Sequence, residues 1–210
     1  MKGLFYYDGF LSKILTGVMY IVSLNLLFLL CSIPVFTVGA AQTAMYTVLL
    51  KYIKHEEPDI IRGFFAAFRE NFKRATLVWL VMLAAWGTLA GNYYFLYNRQ
   101  MELAGAIRIL LNLVLIALLV MWAYLFPVMA YFENNIRGYV AFSAGLAVAK
   151  LPFTAALVLL RTVPLLAVLF LEQFLPMAVL LLICCGSSLP AYYSGKMLLR
   201  LFQGCGGDSQ

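Results

Sequence analysis

The chain has 210 residues, of which 64% are hydrophobic and 11% are charged, and its formal net charge is +6. Soluble domains carry about 25% charged residues, so this composition excludes a globular domain with an ordinary polar surface. Uncharged apolar segments of about 18 residues or more recur, each long enough to cross a hydrocarbon core about 30 Å thick. We therefore predict an all-α fold: a polytopic transmembrane helical bundle that forms one integral membrane domain over residues 1–210.

Six spans are predicted, and in chain order they cover about residues 14–36, 38–54, 75–98, 109–132, 153–171 and 177–193. Pro34 and Gly39 separate the first two spans, because proline and glycine so close together end a helix. The second span is short, so it either crosses the bilayer or re-enters on one side. Its small residues would let another helix approach closely, and they are Gly39, Ala40, Ala41 and Ala44. From Ser194 onward a short, basic tail is expected.

Residues 51–74 are the most polar part of the chain and connect the second and third spans. Read as an amphipathic helix over about 59–74, they place phenylalanines and Ile61 on one face and basic residues on the other. Such a helix lies at a membrane surface or docks against a partner, and the alternative is a solvated loop. The candidate contact residues are Arg62, Phe64, Phe65, Phe68, Arg69, Phe72 and Lys73.

The distribution of basic residues orients the predicted spans. With six spans and both termini in the cytoplasm, twelve basic residues lie inside, and only Arg99 and Arg108 lie outside. Without the second span, keeping residues 51–74 inside gives eight inside and six outside. Because loops on the cytoplasmic side carry an excess of Lys and Arg, the six-span arrangement is favoured. The positive charge then serves orientation and does not indicate a nucleic-acid partner.

No motif in the sequence predicts catalysis. The chain lacks a phosphate-binding G-x-x-x-x-G-K-[ST] loop, a G-x-S-x-G nucleophile motif and a C-x-x-C pair, and it has one histidine, His55. Its four cysteines show no metal-ligand spacing, and no carboxylates are paired within a predicted span. We therefore expect no enzyme, no cofactor and no catalytic or metal site.

Arg161 lies inside the fifth predicted span, near the centre of the bilayer, eleven residues from both Lys150 and Glu172. A guanidinium at that depth is costly unless it finds a partner or water. It either contacts an anion or sugar, forms an ion pair in the bundle, or extends to the cytoplasmic headgroups. Four further polar residues form helix–helix hydrogen bonds or, with Arg161, a polar site for a solute. They are Asn25, Gln42, Asn92 and Asn112.

A short internal echo is present in the sequence. Ile61–Phe64 reads I-R-G-F and Ile136–Tyr139 reads I-R-G-Y, 75 residues later. In the predicted topology each copy follows one pair of spans and precedes another on the same side of the membrane, and parallel repeats of this kind occur in transporters. With three identical residues, duplication and coincidence both remain open.

Three segments resemble the YesL-like family of bacterial multi-pass membrane proteins. Residues 25–40 are similar to its N-L-L…P-x-x-T-x-G-A signature, and residues 63–73 to its F-F-x-A-F-K-x-N-F-K segment. Residues 149–152 are similar to its A-x-L-P. A basic residue usually follows that proline in the family, whereas Phe153 stands here, so no role is carried over from that position.

The resemblance implies the bacterial cytoplasmic membrane and a family of unknown function. Genes of this family often lie beside carbohydrate ABC transporters, which implies an accessory or component of oligosaccharide uptake. The implied partners are the lipid bilayer, a permease or ATPase subunit, and a sugar. Importer permeases carry an E-A-A…G pattern, but residues 70–72 read E-N-F here, so we expect no ordinary permease subunit. A structural or regulatory protein that transports nothing, such as an assembly factor or sensor partner, is the alternative, and a stand-alone channel or carrier is a third.

Overall fold

The fold is a bundle of helices. The computed structural model describes residues 10–56, 59–98, 104–170 and 186–205. A 3-10 turn at Val35–Thr37 joins the first two α-helices. The α-helices are α1 (Phe10–Ser32), α2 (Val38–Ile53), α3 (Ile60–Asn98), α4 (Ala104–Tyr131), α5 (Ile136–Ala149), α6 (Leu151–Phe170) and α7 (Ser188–Cys205). No strand occurs in these ranges, as the predicted all-α class requires.

Three helices are long and apolar enough to cross a membrane. The qualifying segments are Leu15–Ser32 in α1, Ile60–Leu96 in α3 and Gly105–Tyr131 in α4. Helices α5 and α6 pass the same test only as a pair bent by 109°, which would make a fourth span. The number of spans, six, therefore stays a prediction. Residues 171–185, which include parts of the last two predicted spans, lie outside the described ranges.

Helix α2 lies at the centre of the bundle. It has 16 residues, so it is about 24 Å long. Every residue from Gly39 to Tyr46 is buried, as are Val48, Leu49 and Leu50. It packs against α1, α3, α4 and α7, with its largest contact on α3. The short second helix is thus surrounded by protein on most of its surface rather than by lipid.

The small residues of α2 allow this close packing. A Cβ atom added at Gly39 would lie 2.5 Å from Cβ of Trp79 and 2.6 Å from the carbonyl oxygen of Ala75, both on α3. No side chain larger than hydrogen fits at that distance without moving α3. The junction before α2 is fixed from the same side, because Nε1 of Trp79 donates to the carbonyl oxygen of Val35 at 2.7 Å.

Helix α3 corrects the predicted boundary at residues 74 and 75. It runs without interruption from Ile60 to Asn98, which is 39 residues and about 58 Å, or roughly twice the hydrocarbon thickness. Asp59 precedes it, and its Oδ1 accepts the backbone N–H of Arg62 at 3.3 Å. Because no proline or glycine stands near residue 75, nothing ends the helix there. The amphipathic segment is therefore a rigid extension of the apolar one.

The predicted connector at residues 133–152 contains a helix of its own, α5. The chain leaves helical geometry at Lys150, where φ is −131° and ψ is 57°, and α6 begins at once. Pro152 explains the break, since it has no N–H and its ring would collide with the carbonyl group of Val148 in a continuous helix. The two copies of the internal echo each begin a helix and bury their aromatic residue, Phe64 or Tyr139. The helix that begins at the first copy, α3, continues to Asn98, whereas the helix that begins at the second copy, α5, ends at Ala149.

The end of the chain also differs from the prediction. Helix α7 continues through residue 193, where the last span was expected to end, and reaches Cys205. Its first turn begins at Ser188, and residues 177–185 of that predicted span lie outside the described ranges. Leu198 and Leu199 are buried, so the segment expected to be a short, basic tail is helical as far as Cys205 and lies partly in the core.

A glycine comparison tests the central packing. We expect Gly39→Ala to lower the free energy of unfolding by about 1–3 kcal/mol, because the added Cβ collides with α3. The matched control is Gly91→Ala, where a Cβ meets nothing within 4 Å and alanine favours the helix by about 1 kcal/mol. Unfolding midpoints in detergent measure both variants. Equal stability of the two proteins would contradict the packing described at Gly39.

Candidate functional site

The phenylalanines of α3 form an inward ladder. Phe64 is fully buried, and Phe68 and Phe72 pack against the core. The ring of Phe68 lies 6.2 Å from that of Phe64 and 5.4 Å from that of Phe72, measured between centroids. These three predicted contact residues therefore attach the start of α3 to the bundle, and Phe64 offers no free surface.

The remaining predicted contact residues face outward. Arg62, Phe65, Arg69 and Lys73 are exposed, and Phe65 shows 46% of its surface. Their spacing of three, four and four residues places them on one side of the helix. We call these four residues the basic face of α3. In the described ranges, Arg62 pairs with Asp59 at 3.6 Å, and no carboxylate forms an ion pair with Arg69 or Lys73.

Asn25, on α1, caps the N-terminus of α7. Its side chain is fully buried, and Oδ1 accepts the backbone N–H groups of Ser187 at 3.0 Å and Ser188 at 3.1 Å. Oγ of Ser188 donates in return to the carbonyl oxygen of Ile21 at 2.9 Å. The first N–H groups of a helix have no partner within it, so α1 supplies the cap of α7.

The other predicted amides have different surroundings. Asn112 accepts the hydroxyl of Tyr93 at 2.6 Å, a bond that joins α4 to α3 at an exposed position. Asn92 donates to the carbonyl oxygen of Thr88 in its own helix. Gln42 is buried in α2, and its Oε1 has no hydrogen-bond partner in the structure as described. Asn25 and Asn112 thus form the helix–helix bonds that the sequence indicated.

Arg161 turns toward α4. Its Nη1 donates to the carbonyl oxygens of Trp122 at 2.9 Å and Ala123 at 3.4 Å. Its Cζ lies 4.4 Å from the ring centroid of Trp122 and 5.4 Å from that of Tyr46. No carboxylate pairs with it within 4 Å in the part of the chain that the structure covers. Carbonyl dipoles and ring faces therefore surround the charge.

Pro127 explains why the carbonyl oxygen of Ala123 is open to an arginine. It lies inside α4, four residues after Ala123, and has no N–H to donate to the carbonyl oxygen of that residue. In apolar surroundings an unpaired carbonyl is costly, so a donor from a neighbouring helix stabilises this part of α4. Arg161 supplies that donor. We call Arg161, Trp122, Ala123 and Pro127 the arginine clamp.

Tyr46 links the arginine clamp to α2 and α7. Its hydroxyl lies 2.8 Å from Oγ of Ser194, which donates to the carbonyl oxygen of Ala191 at 3.0 Å. Ser194 has one hydroxyl hydrogen, so Tyr46 is the donor of the bond between them. Sequence reasoning did not single out Tyr46 or Pro127. The sequence did contain a signal for this contact. Pro127 lies inside one apolar segment and leaves a backbone carbonyl without its N–H, and Arg161 lies inside another apolar segment and can donate to it.

The predicted intramembrane residues do not share one hydrogen-bonded site. Asn25 is tied to α7, Asn112 to Tyr93 and Arg161 to α4. Among the described residues, no group of three His, Cys, Asp or Glu side chains could hold a metal ion. The candidate sites are therefore the basic face of α3 and the surroundings of Arg161.

Comparison with known proteins gives matches of unknown function. A family model described as "Protein of unknown function, DUF624" matches residues 21–93, which include the first two motifs of the sequence resemblance. The chain is 27% identical over 184 residues to the uncharacterized protein YteU of Bacillus subtilis (strain 168), covering 81% of this chain and 78% of that protein. No solved structure matches the chain. These matches are consistent with the YesL-like resemblance without naming that family.

The cap formed by Asn25 yields a prediction. We expect Asn25→Leu to lower the free energy of unfolding by about 1–3 kcal/mol, because two backbone N–H groups lose their acceptor in a buried place. Asn92→Leu is the control, since Asn92 is exposed and its bond lies within one helix. Denaturant titration of both variants checks this. If Asn25→Leu unfolds at the same midpoint as the control, Asn25 does not cap α7.

A double-mutant cycle tests the arginine clamp. Pro127→Ala restores an N–H for the carbonyl oxygen of Ala123. In that background, Arg161→Met should lower the free energy of unfolding by at least about 1 kcal/mol less than it does in the unchanged chain. The free energies of unfolding of the four proteins give the coupling. Tyr93→Phe, which removes the distant bond to Asn112, should cost the same in both backgrounds. Independent effects of Pro127 and Arg161 would contradict the clamp.

Proposed function

We propose that this integral membrane protein is an accessory or component of oligosaccharide uptake that docks a cytoplasmic partner through the basic face of α3. The observation that carries this proposal is an exposed set of three basic residues and one phenylalanine on a helix whose opposite side is in the core. The partner surface would be acidic, with an apolar pocket for Phe65. The protein itself would carry out no catalysis.

The construction of α3 suits a docking surface. Phe64, Phe68 and Phe72 hold its first turns against the bundle, so binding would cost little backbone entropy. Aromatic residues and arginine are the side chains enriched at interfaces and at their energetically dominant positions. The cytoplasmic position of this face rests on the excess of basic residues on that side in the six-span topology.

The link to carbohydrate uptake rests on the resemblance to the YesL-like family, whose genes often lie beside sugar transporters. A permease or ATPase subunit of such a transporter is the partner that the proposal names. Helix–helix hydrogen bonds occupy Asn25 and Asn112, which favours docking over a stand-alone channel or carrier with a polar pathway.

Co-purification tests the docking surface. We expect Phe65→Asp and Arg69→Glu each to reduce recovery of a carbohydrate transporter permease or ATPase subunit at least about tenfold, because each places negative charge against an acidic surface. Both residues are exposed, so the thermal stability of the variants should stay close to that of the unchanged chain.

Charge reversal on another helix is the matched control. Lys196 is an exposed basic residue of α7, and Lys196→Glu should leave recovery of the subunit unchanged. Phe68→Asp is unsuitable as a docking variant because Phe68 packs on the core. Unchanged recovery with both Phe65→Asp and Arg69→Glu would reject docking through this face.

A further inference from the structure

Among the described residues, one edge of the Arg161 guanidinium group meets no hydrogen-bond partner. Only Nη1 is bonded, and within the described part of the chain Nε and Nη2 have no hydrogen-bond partner. The side chain is partly exposed. The N–H groups of Nε and Nη2 point in parallel from one edge of the planar group, an arrangement that matches the two oxygens of a carboxylate or phosphate.

Gln42 provides a second, independent observation. It is 95% buried, since 5% of its surface is exposed, and its Oε1 has no hydrogen-bond partner in the described structure. It lies four residues before Tyr46, so the two side chains share one face of α2 and are separated by one helical turn. Tyr46 is the residue of α2 whose ring lies beside Arg161. Buried polar groups are nearly always hydrogen-bonded, so Oε1 of Gln42 is an acceptor available to a donor on another molecule.

We propose that α2, α4 and α6 form a binding site for a small molecule that carries an acidic group and a hydroxyl group. The free edge of Arg161 binds the acidic group, and Oε1 of Gln42 accepts the hydroxyl. Tyr46 and Trp122 flank the cation and hold its plane. This site is separate from the basic face of α3 and does not depend on the docking function.

The charge of Arg161 selects an anion over a neutral sugar. Its bonded partners are two backbone carbonyls, and its ring neighbours present only the partial negative charge of their faces. Arginine keeps its full charge in apolar surroundings, where an anion held by two parallel hydrogen bonds is bound strongly. A neutral hydroxyl compound would leave that charge uncompensated.

Two sources can supply this chemistry. A phospholipid with a glycerol headgroup carries a phosphate and hydroxyl groups, and an acidic sugar carries a carboxylate and hydroxyl groups. The lipid would reach the site from the bilayer and the sugar from water. Both use the same two contacts, so the experiment has an arm for each source.

Thermal unfolding of the purified full chain in a neutral detergent measures binding. In the lipid arm, phosphatidylglycerol is titrated against phosphatidylcholine, and in the soluble arm glucuronate is titrated against glucose. Tryptophan fluorescence, to which Trp122 with its ring 4.4 Å from Arg161 contributes beside Trp79 and Trp86, serves as a second readout. We expect the anionic member of one pair to raise the unfolding temperature and to change the tryptophan emission, and the active arm identifies the source.

Variants decide whether Arg161 and Gln42 form the site. Arg161→Met should abolish the response, and Gln42→Leu should weaken apparent affinity about tenfold. Arg161→Lys should also weaken it, because lysine lacks the paired edge. Arg200→Met, which removes an exposed arginine of α7, should change nothing.

If Arg161→Met does not fold, it is made in the Pro127→Ala background, where the backbone supplies the lost bond. The proposal is overturned if neither anion stabilises the unchanged chain more than its neutral counterpart. It is equally overturned if Arg161→Met or Gln42→Leu responds as the unchanged chain does.

Discussion

The close approach of α2 to α3 is the constraint on which the rest of the structure depends. At Gly39 the two backbones leave no room for a Cβ atom, and this contact brings α2 within reach of α1, α4 and α7 as well. In an apolar chain, van der Waals contact between helices replaces the hydrophobic effect as the source of stability. The small residues at the start of α2 let neighbouring helices approach closely enough to make that contact.

Three interruptions of the described helices are closed by a side chain from another helix. Asn25 caps α7, Trp79 donates to the junction before α2, and Arg161 donates at the proline of α4. Water cannot satisfy these groups in apolar surroundings, so the protein must satisfy them itself. The polar residues that make these bonds therefore stabilise the fold. Among the described residues the side-chain oxygen of Gln42 lacks a hydrogen-bond partner, as do the hydroxyls of Ser32, Thr76 and Ser143.

Sequence reasoning anticipated the helical class, the amphipathic character of residues 59–74 and the small residues that permit close packing. It did not anticipate that α3 is one helix, because the change from amphipathic to apolar pattern resembles a boundary although no residue there ends a helix. It also assigned all the phenylalanines to one contact surface. Phe64 and Phe65 are 100° apart around a helix, and which of them faces the core depends on where α2 lies.

The sequence by itself determined that this is a helical membrane protein with one basic amphipathic segment and one arginine in an apolar segment, because composition and periodicity depend on neighbouring residues alone. The tertiary structure decided the partners. Whether Arg161 meets a lipid headgroup, a carboxylate or a backbone carbonyl depends on α4, whose proline lies 34 residues earlier in the chain. Packing between helices brings such distant residues together, and no local pattern records it.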